Sequence, residues 1–134
     1  MYKIQKISID GKDYNLGYRV TTLDMKSLGF KNNPYIHQYP MNEWYFLPEE
    51  NLVPGEDDWG GIWVARTMSK GKGTVYDAYR RKTNPMKTRL FKALFDEVLY
   101  VNSYRIKTNG ICIIEEIDVT DIFEKIDSKH SNTI

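Results

Sequence analysis

Near the start of the chain, Ile7 and Ile9 alternate with Lys6 and Ser8, which puts both isoleucines on one face of a strand over residues 2–9. Tyr2 and Ile4 fall in the opposite phase, so either both faces are partly covered or the register slips near Gln5. Asp10-Gly11 is a turn dipeptide, and Lys12 to Val20 returns as a second strand, giving a β-hairpin. Thr21 or Thr22 is placed to cap a short helix through Leu28, with Gly29 as its stop. Ile62-Trp63-Val64-Ala65, just after Gly60-Gly61, is a short run of β-formers that reads as a buried central strand.

Ser69 can cap a helix weakened at its first turn by Gly71 and Gly73, with Val75, Ala78 and Tyr79 on one side between Val75 and Lys82. The pattern over 84–101 is ambiguous. Leu90, Phe91, Leu94, Phe95, Val98 and Leu99 recur at helical spacing behind an Asn84-Pro85 start, and this local pattern favours a helix. Yet Phe91, Ala93 and Phe95 also alternate as in a strand. Tyr100 to Ile106 and Ile111 to Val119 flank Asn109-Gly110, which predicts a hairpin with positive φ at both turn residues. Thr120 can cap a last short helix from Asp121 to Ile126. The expected architecture is α+β: twisted antiparallel strands, a few short helices and one long irregular loop, in a single domain over 1–126 with a disordered polar tail over 127–134.

That loop, Lys31 to Asp58, carries Pro34, Pro40, Pro48 and Pro54, and only Trp44-Tyr45-Phe46-Leu47 inside it reads as a strand. Loops of such length in a compact domain are often functional or mobile. Charge sharpens the picture. The net charge is +1, but Arg66 to Lys92 holds nine basic residues against one acid, while Glu43 to Asp58 holds six acids and no base. A basic stretch of that kind can meet phosphates or an acidic protein, although charge runs are more often solvated faces.

Cysteine and histidine narrow the chemistry. The one cysteine, Cys112, lies in an apolar run and reads as a buried, inert thiol, which agrees with a cytoplasmic setting. One Cys and two His, His37 and His130, are too few for a usual structural zinc site, so no metal is expected. No apolar run approaches the ~20 residues of a membrane span, and the N-terminus lacks a signal-peptide core.

Walker, dinucleotide-fingerprint, zinc-protease and nucleophile-elbow motifs are absent. Gly71-Lys72-Gly73-Thr74 has the letters of a phosphate-loop fragment without the upstream glycine. Three other segments taken together resemble a small ADP-ribosyltransferase domain: Tyr18-Arg19-Val20-Thr21-Thr22 on an early strand, Gly61 to Ser69 with Tyr76 and Tyr79 behind it, and Glu115-Glu116-Ile117-Asp118 on a late strand. The middle segment departs from that family's usual Ser-Thr-Ser, having Ala65-Arg66-Thr67. The resemblance implies two twisted antiparallel sheets with NAD in the cleft between them, nicotinamide displaced, and ADP-ribose passed to a macromolecule. It also favours a strand as far as Phe95.

On that resemblance Tyr18, Arg19, Thr21, Trp63, Thr67 and Tyr76 would hold NAD, and Glu115 or Glu116 would be the catalytic acid, with Asp96 and Glu97 as alternatives. Arg19 offers a forked, permanently charged donor for phosphate or ribose. A carboxylate would stabilise the oxocarbenium-like charge as nicotinamide leaves. Strand alternation lets only one of Glu115 and Glu116 enter a cleft. Each of these residues has a plainer role as well: ion pair, cap, core ring or solvated strand end.

Two other functions fit the same sequence. One is a non-enzymatic protein-binding module, such as an inhibitor of a host or defence complex of mobile-element origin, using Tyr35, Tyr39, Trp44 and Tyr45. The other is single-strand nucleic-acid binding through the basic stretch 66–92, with Tyr76, Tyr79 and Phe91 as stacking rings.

Overall fold

The computed structural model describes residues 2–28, 36–55 and 60–131. Within them the chain forms a mostly antiparallel sheet of eight strands with two helices: β1 (Gln5–Ile9), β2 (Lys12–Thr21), β3 (Trp44–Phe46), β4 (Ile62–Ala65), α1 (Met68–Tyr79), β5 (Arg89–Phe95), β6 (Val98–Val101), β7 (Arg105–Thr108), β8 (Gly110–Ile117) and α2 (Thr120–Ser131). The sheet dominates an α+β domain. Its strands lie in the order β3-β8-β5-β2-β4-β7-β6, with β1 also paired to β2.

The first hairpin forms as the pattern predicts. Asp10 and Gly11 take positive φ of 52° and 81°, the backbone of a two-residue turn that matches strand twist. β1 then pairs with the first half of β2, from Ile9↔Lys12 to Gln5↔Leu16. Further along, β4 meets the same edge of β2 through one rung, Tyr18↔Ala65. The other edge of β2 is fully laddered to β5 from Asn15 to Thr21.

That lone rung lets the sheet fold. β4, β7 and β6 turn back over the inner face of β2, β5 and β8, and the two halves share one core of Ile62, Val64, Phe91, Ala93, Phe95, Ile106, Ile111 and Ile113, closed by Tyr39 and Leu47. Burying a side chain of this size stabilises by about 1.5–3 kcal/mol. Gly17 makes the approach possible, because a Cβ there would lie 2.6 Å from Val64 Cγ2. Lys107 is fully buried at the fold, its ammonium donating to the Val53 carbonyl.

On the opposite face, Leu16, Tyr18, Val20 and Leu90 pack with Val75 of α1 and with Val119, at the start of α2. Thr67 caps α1 by accepting the Lys70 N–H at 3.2 Å. The cap therefore lies two residues before Ser69, and the helix ends at Tyr79, short of Lys82. Gly71 lies inside it, where a Cβ would come 2.8 Å from Leu90 Cδ1, so a side chain there would have to displace the Leu90 methyl.

Several expectations are corrected. No helix forms over 21–28: Met25 has φ 62° and the Thr22 hydroxyl accepts the Lys26 N–H, closing a tight turn instead. The Gly29 stop and Tyr35 lie outside the described residues. Segment 89–95, open between helix and strand in the sequence, is strand, and both its faces are buried, which explains why its hydrophobicity is nearly continuous. Asn109-Gly110 is not a hairpin turn. Neither residue has positive φ, and β7 pairs with β4 and β6 while β8 pairs with β5 and β3.

The chain instead passes from one half of the folded sheet to the other at Asn109, as it also does between β5 and β6 at Asp96-Glu97. Asn109 stitches these two corners together. Its amide donates to the Asp96 carboxylate at 2.9 Å, its side-chain oxygen accepts the Glu97 N–H at 2.8 Å, and Asp96 N–H donates to Gly110 O at 3.1 Å. α2 runs on to Ser131, five residues past the expected end at Ile126 and into the segment expected to be a disordered tail.

Candidate functional site

A slot of about 160 Å³ opens where β4 parts from β2. Tyr18 and Val20 form its floor, Trp63 and Ala65 one wall, and Lys70 and Thr74 of α1 another; Tyr104 and Arg105 stand at its mouth. Gly71, Val75 and Ala78 set α1 down over β2 and β5, which leaves the first turns of the helix beside the gap.

Its rings are matched with cations. The Arg105 guanidinium lies 3.8 Å from the Trp63 ring centroid, and the Lys70 ammonium 4.2 Å from that of Tyr104. Tyr104 is 65% exposed, and Tyr100 meets the Trp63 ring edge-on. No Asp or Glu among the described residues lines the slot. The uncapped N–H groups of α1 add partial positive charge at the same end. The surface so formed is flat, apolar and electropositive.

The predicted NAD residues divide between this slot and other places. Tyr18 and Trp63 line it, and Thr67 sits at its end as the α1 cap. Arg19, next along β2, faces the inner side. Its guanidinium donates to the Trp63 carbonyl at 2.6 Å and to the Tyr39 hydroxyl at 3.0 Å, bridging the gap where the β2–β4 ladder has stopped. Thr21 is fully buried and its hydroxyl donates to the Thr22 carbonyl. Tyr76 is on the outer side of α1 under the Arg80 guanidinium, beside a groove shared with α2.

The candidate acids lie elsewhere. Glu116 and Arg19 share a face, in one row across three strands with Phe91 between them, and Glu115 faces the other way. Two strand spacings put the backbones of Arg19 and Glu116 about 10 Å apart. Glu116 is held by Arg89 in a two-pronged pair, 2.9 Å from Nε and 2.8 Å from Nη2, and that guanidinium keeps its carboxyl below the usual range. Glu115 pairs with Lys92 at 3.2 Å. Both glutamates are exposed, and neither lines a cavity with Arg19, Trp63 or Thr67 among the described residues. Asp96 is tied to Asn109 at the corner, and Glu97 is exposed beside it.

Lys70, Tyr104 and Arg105 were not singled out by the sequence as site residues, although Lys70 belongs to the basic stretch. Their juxtaposition depends on the β6–β7 turn arriving beside α1, a contact between segments distant in sequence. Gly71-Lys72-Gly73-Thr74 is ordinary α1 helix and cradles nothing as a loop. Of the aromatic loop, Tyr39 is buried and Tyr45 half-buried, the Tyr45 hydroxyl bonding to His37 Nδ1 at 2.7 Å. Burial pushes the Tyr45 hydroxyl up and, with the Arg19 charge, pushes His37 down. Burial likewise raises the Cys112 thiol.

No helix among the described residues is long and apolar enough to cross a membrane, and none of them group three or more His, Cys, Asp or Glu as metal ligands would. No family model, curated protein or solved structure matches this chain.

Proposed function

We propose that this chain is a binding domain whose slot takes the planar ring of an anionic ligand of the nucleotide class, NAD among them, without transferring a group. One observation carries the proposal: among the described residues the slot is walled by two ring–cation pairs, Trp63 with Arg105 and Tyr104 with Lys70, and by no carboxylate. Its volume of about 160 Å³ is well below that of a pocket for a whole cofactor and suits one ring, leaving phosphate groups at the mouth near Lys70 and Arg105. A ring entering there would gain stacking of about 1–3 kcal/mol per base. Transfer from NAD would also need an acid at the ring. Glu115 and Glu116 are engaged by Lys92 and Arg89 away from the slot, which favours binding over catalysis.

Calorimetry with NAD and with AMP tests this. Binding is expected for one or both, weakened about tenfold or more by Tyr104→Ala, as loss of a stacking partner predicts, and by Lys70→Ala, but unchanged by Glu116→Gln. Absence of binding to either ligand would refute the proposal. Nicotinamide release from NAD that disappears in Glu116→Gln would replace it with the transferase.

A further inference from the structure

We infer that β3 accepts an extended, basic segment of another protein as an added strand. Among the described residues β3 is an edge of the sheet, paired to β8 alone through Trp44↔Cys112, Tyr45↔Ile111 and Phe46↔Gly110. Leu47 N–H donates to Asn109 O at 3.0 Å, and antiparallel ladders alternate. Tyr45 therefore directs its main chain at β8, while Trp44 and Phe46 direct their N–H and C=O groups at the open edge.

The side chains at those two positions are the unusual part. Edges are normally blunted with lysine, proline or a bulge. Here the edge carries a stacked pair, Trp44 and Phe46, with ring centroids 5.4 Å apart and planes within 11°. They are 38% and 52% exposed, and Met41, which bridges to Ile113 on the same edge of β8, is 39% exposed. Phe46 lies across Gly110, where a Cβ would come 2.2 Å from its ring, so that ring also covers a strand glycine. Trp44 has no such task. It stands over a cleft of about 520 Å³ that runs between β3 and the β1–β2 hairpin. Pro40 and Pro48, which cannot donate to a ladder, limit an added strand to about the length between them.

Charge selects the occupant. Within the cleft Lys6 and Lys12 offset Asp13 and Asp96. Lys6 is bonded to Asn15, and Lys12 lies over the Tyr14 ring. The sign of the edge is therefore set by Glu43 immediately before β3 and by Glu49 and Glu50 in the 3-10 turn after it, all exposed. A second copy pairing edge to edge would bring two such acidic ends together, which disfavours self-association. A partner strand with lysine or arginine around apolar positions is complementary in both backbone and charge.

The probe is an alternating lysine–valine hexapeptide, followed by amide hydrogen exchange read by NMR on the full chain. Added peptide is expected to slow exchange at Trp44 and Phe46 and not at Tyr45, which is already bonded to β8. Neutralising Glu43, Glu49 and Glu50 to Gln together should weaken binding at least tenfold, and Trp44→Thr should weaken it while leaving the fold intact. A glutamate–valine peptide and a backbone N-methylated lysine–valine peptide should not bind. The inference is overturned if the basic peptide gives no protection or if the N-methylated peptide binds equally well. Concentration-dependent dimerisation that protects the same amides without peptide would overturn it too.

Discussion

Tyr18 and Arg19 are neighbours on β2, yet they lead into two differently built regions. Tyr18 points to the helix-covered face and ends at the slot, where rings and cations meet with little polar backbone. Arg19 points into the fold of the sheet, where its two terminal nitrogens donate to the Trp63 carbonyl and the Tyr39 hydroxyl and its Nε is buried. A dipeptide that looks like one functional element is thus split by strand alternation into a ligand-facing ring and a structural cation. The inner region is closed by the sheet folding upon itself. The outer one stays partly open because α1 rests on β2 and β5 and leaves the parting of β4 uncovered.

The largest test of that contrast is Phe91→Ala. Phe91 is fully buried at the centre of the inner core, between Arg19 and Glu116 in the strand row. Its truncation should cost about 3–5 kcal/mol, as large-to-small core changes do, read by urea denaturation. A loss below about 1 kcal/mol would mean that the two halves of the sheet do not share a core.

Next in size is Gly71→Val on the outer face. Valine is the better helix former by a few tenths of a kcal/mol, so an open helix surface would gain from the change. Contact with Leu90 and Tyr18 instead predicts a net loss of about 1–3 kcal/mol from overpacking, with α1 pushed off the sheet. Slot binding should suffer alongside stability, because Lys70 and Thr74 move with the helix. A stabilised variant would contradict the placement of α1.

Glycines also show where the sequence could be read and where it could not. Asp10-Gly11 is a local device, and the hairpin around it was legible from a few residues. β4 was equally plain from its run of β-formers after Gly60-Gly61. Gly71 and Gly110 owe their identity to Leu90, Tyr18 and Phe46, which lie far along the chain, and propensity cannot report such contacts. Asn109-Gly110 imitates a hairpin signal but serves a corner between halves of the sheet. The ambiguity over 89–95 has a related cause: a strand buried on both faces loses its period of two, and chance spacing then looks helical. At the slot, Tyr18 and Trp63 were visible as rings on strands, but Lys70, Tyr104 and Arg105 are joined only by tertiary structure.

A smaller effect is expected at Glu116. Its pair with Arg89 is geometrically good but partly solvated, the side chains being 31% and 44% exposed, so Glu116→Gln should cost about 0.2–1 kcal/mol. Arg89 holds the carboxyl below its ordinary value, so this contribution is present at neutral pH and lost as pH falls below about 4.5. A gap between wild type and variant at pH 7 that narrows progressively as pH falls below about 4.5 is the expected pattern. A gap that does not change with pH would mean the residue acts through something other than its charge.

The finest test concerns His37, on the Arg19 side. Partial burial, then the Arg19 charge, depress its pKa below the ordinary 6.5. The ring bonds to the Tyr45 hydroxyl through Nδ1, while the main-chain N–H of His37 donates to the Ser27 hydroxyl oxygen at 2.8 Å. Tyr39 and Tyr45 are the other titratable groups against this network, and burial pushes the Tyr45 hydroxyl up, away from this range. Because the folded chain resists protonation, the contribution of His37 is complete above pH 6.5. It declines as pH falls from there toward the depressed folded value, with the unfolded chain taking up the proton first. Unfolding free energies measured from pH 8 to pH 5 should therefore drop modestly for the wild type and less for His37→Gln. Every other titratable group is common to both proteins, so the difference between the two profiles isolates His37. Parallel profiles would show that neither burial nor the Arg19 charge moves the proton affinity of this ring on folding.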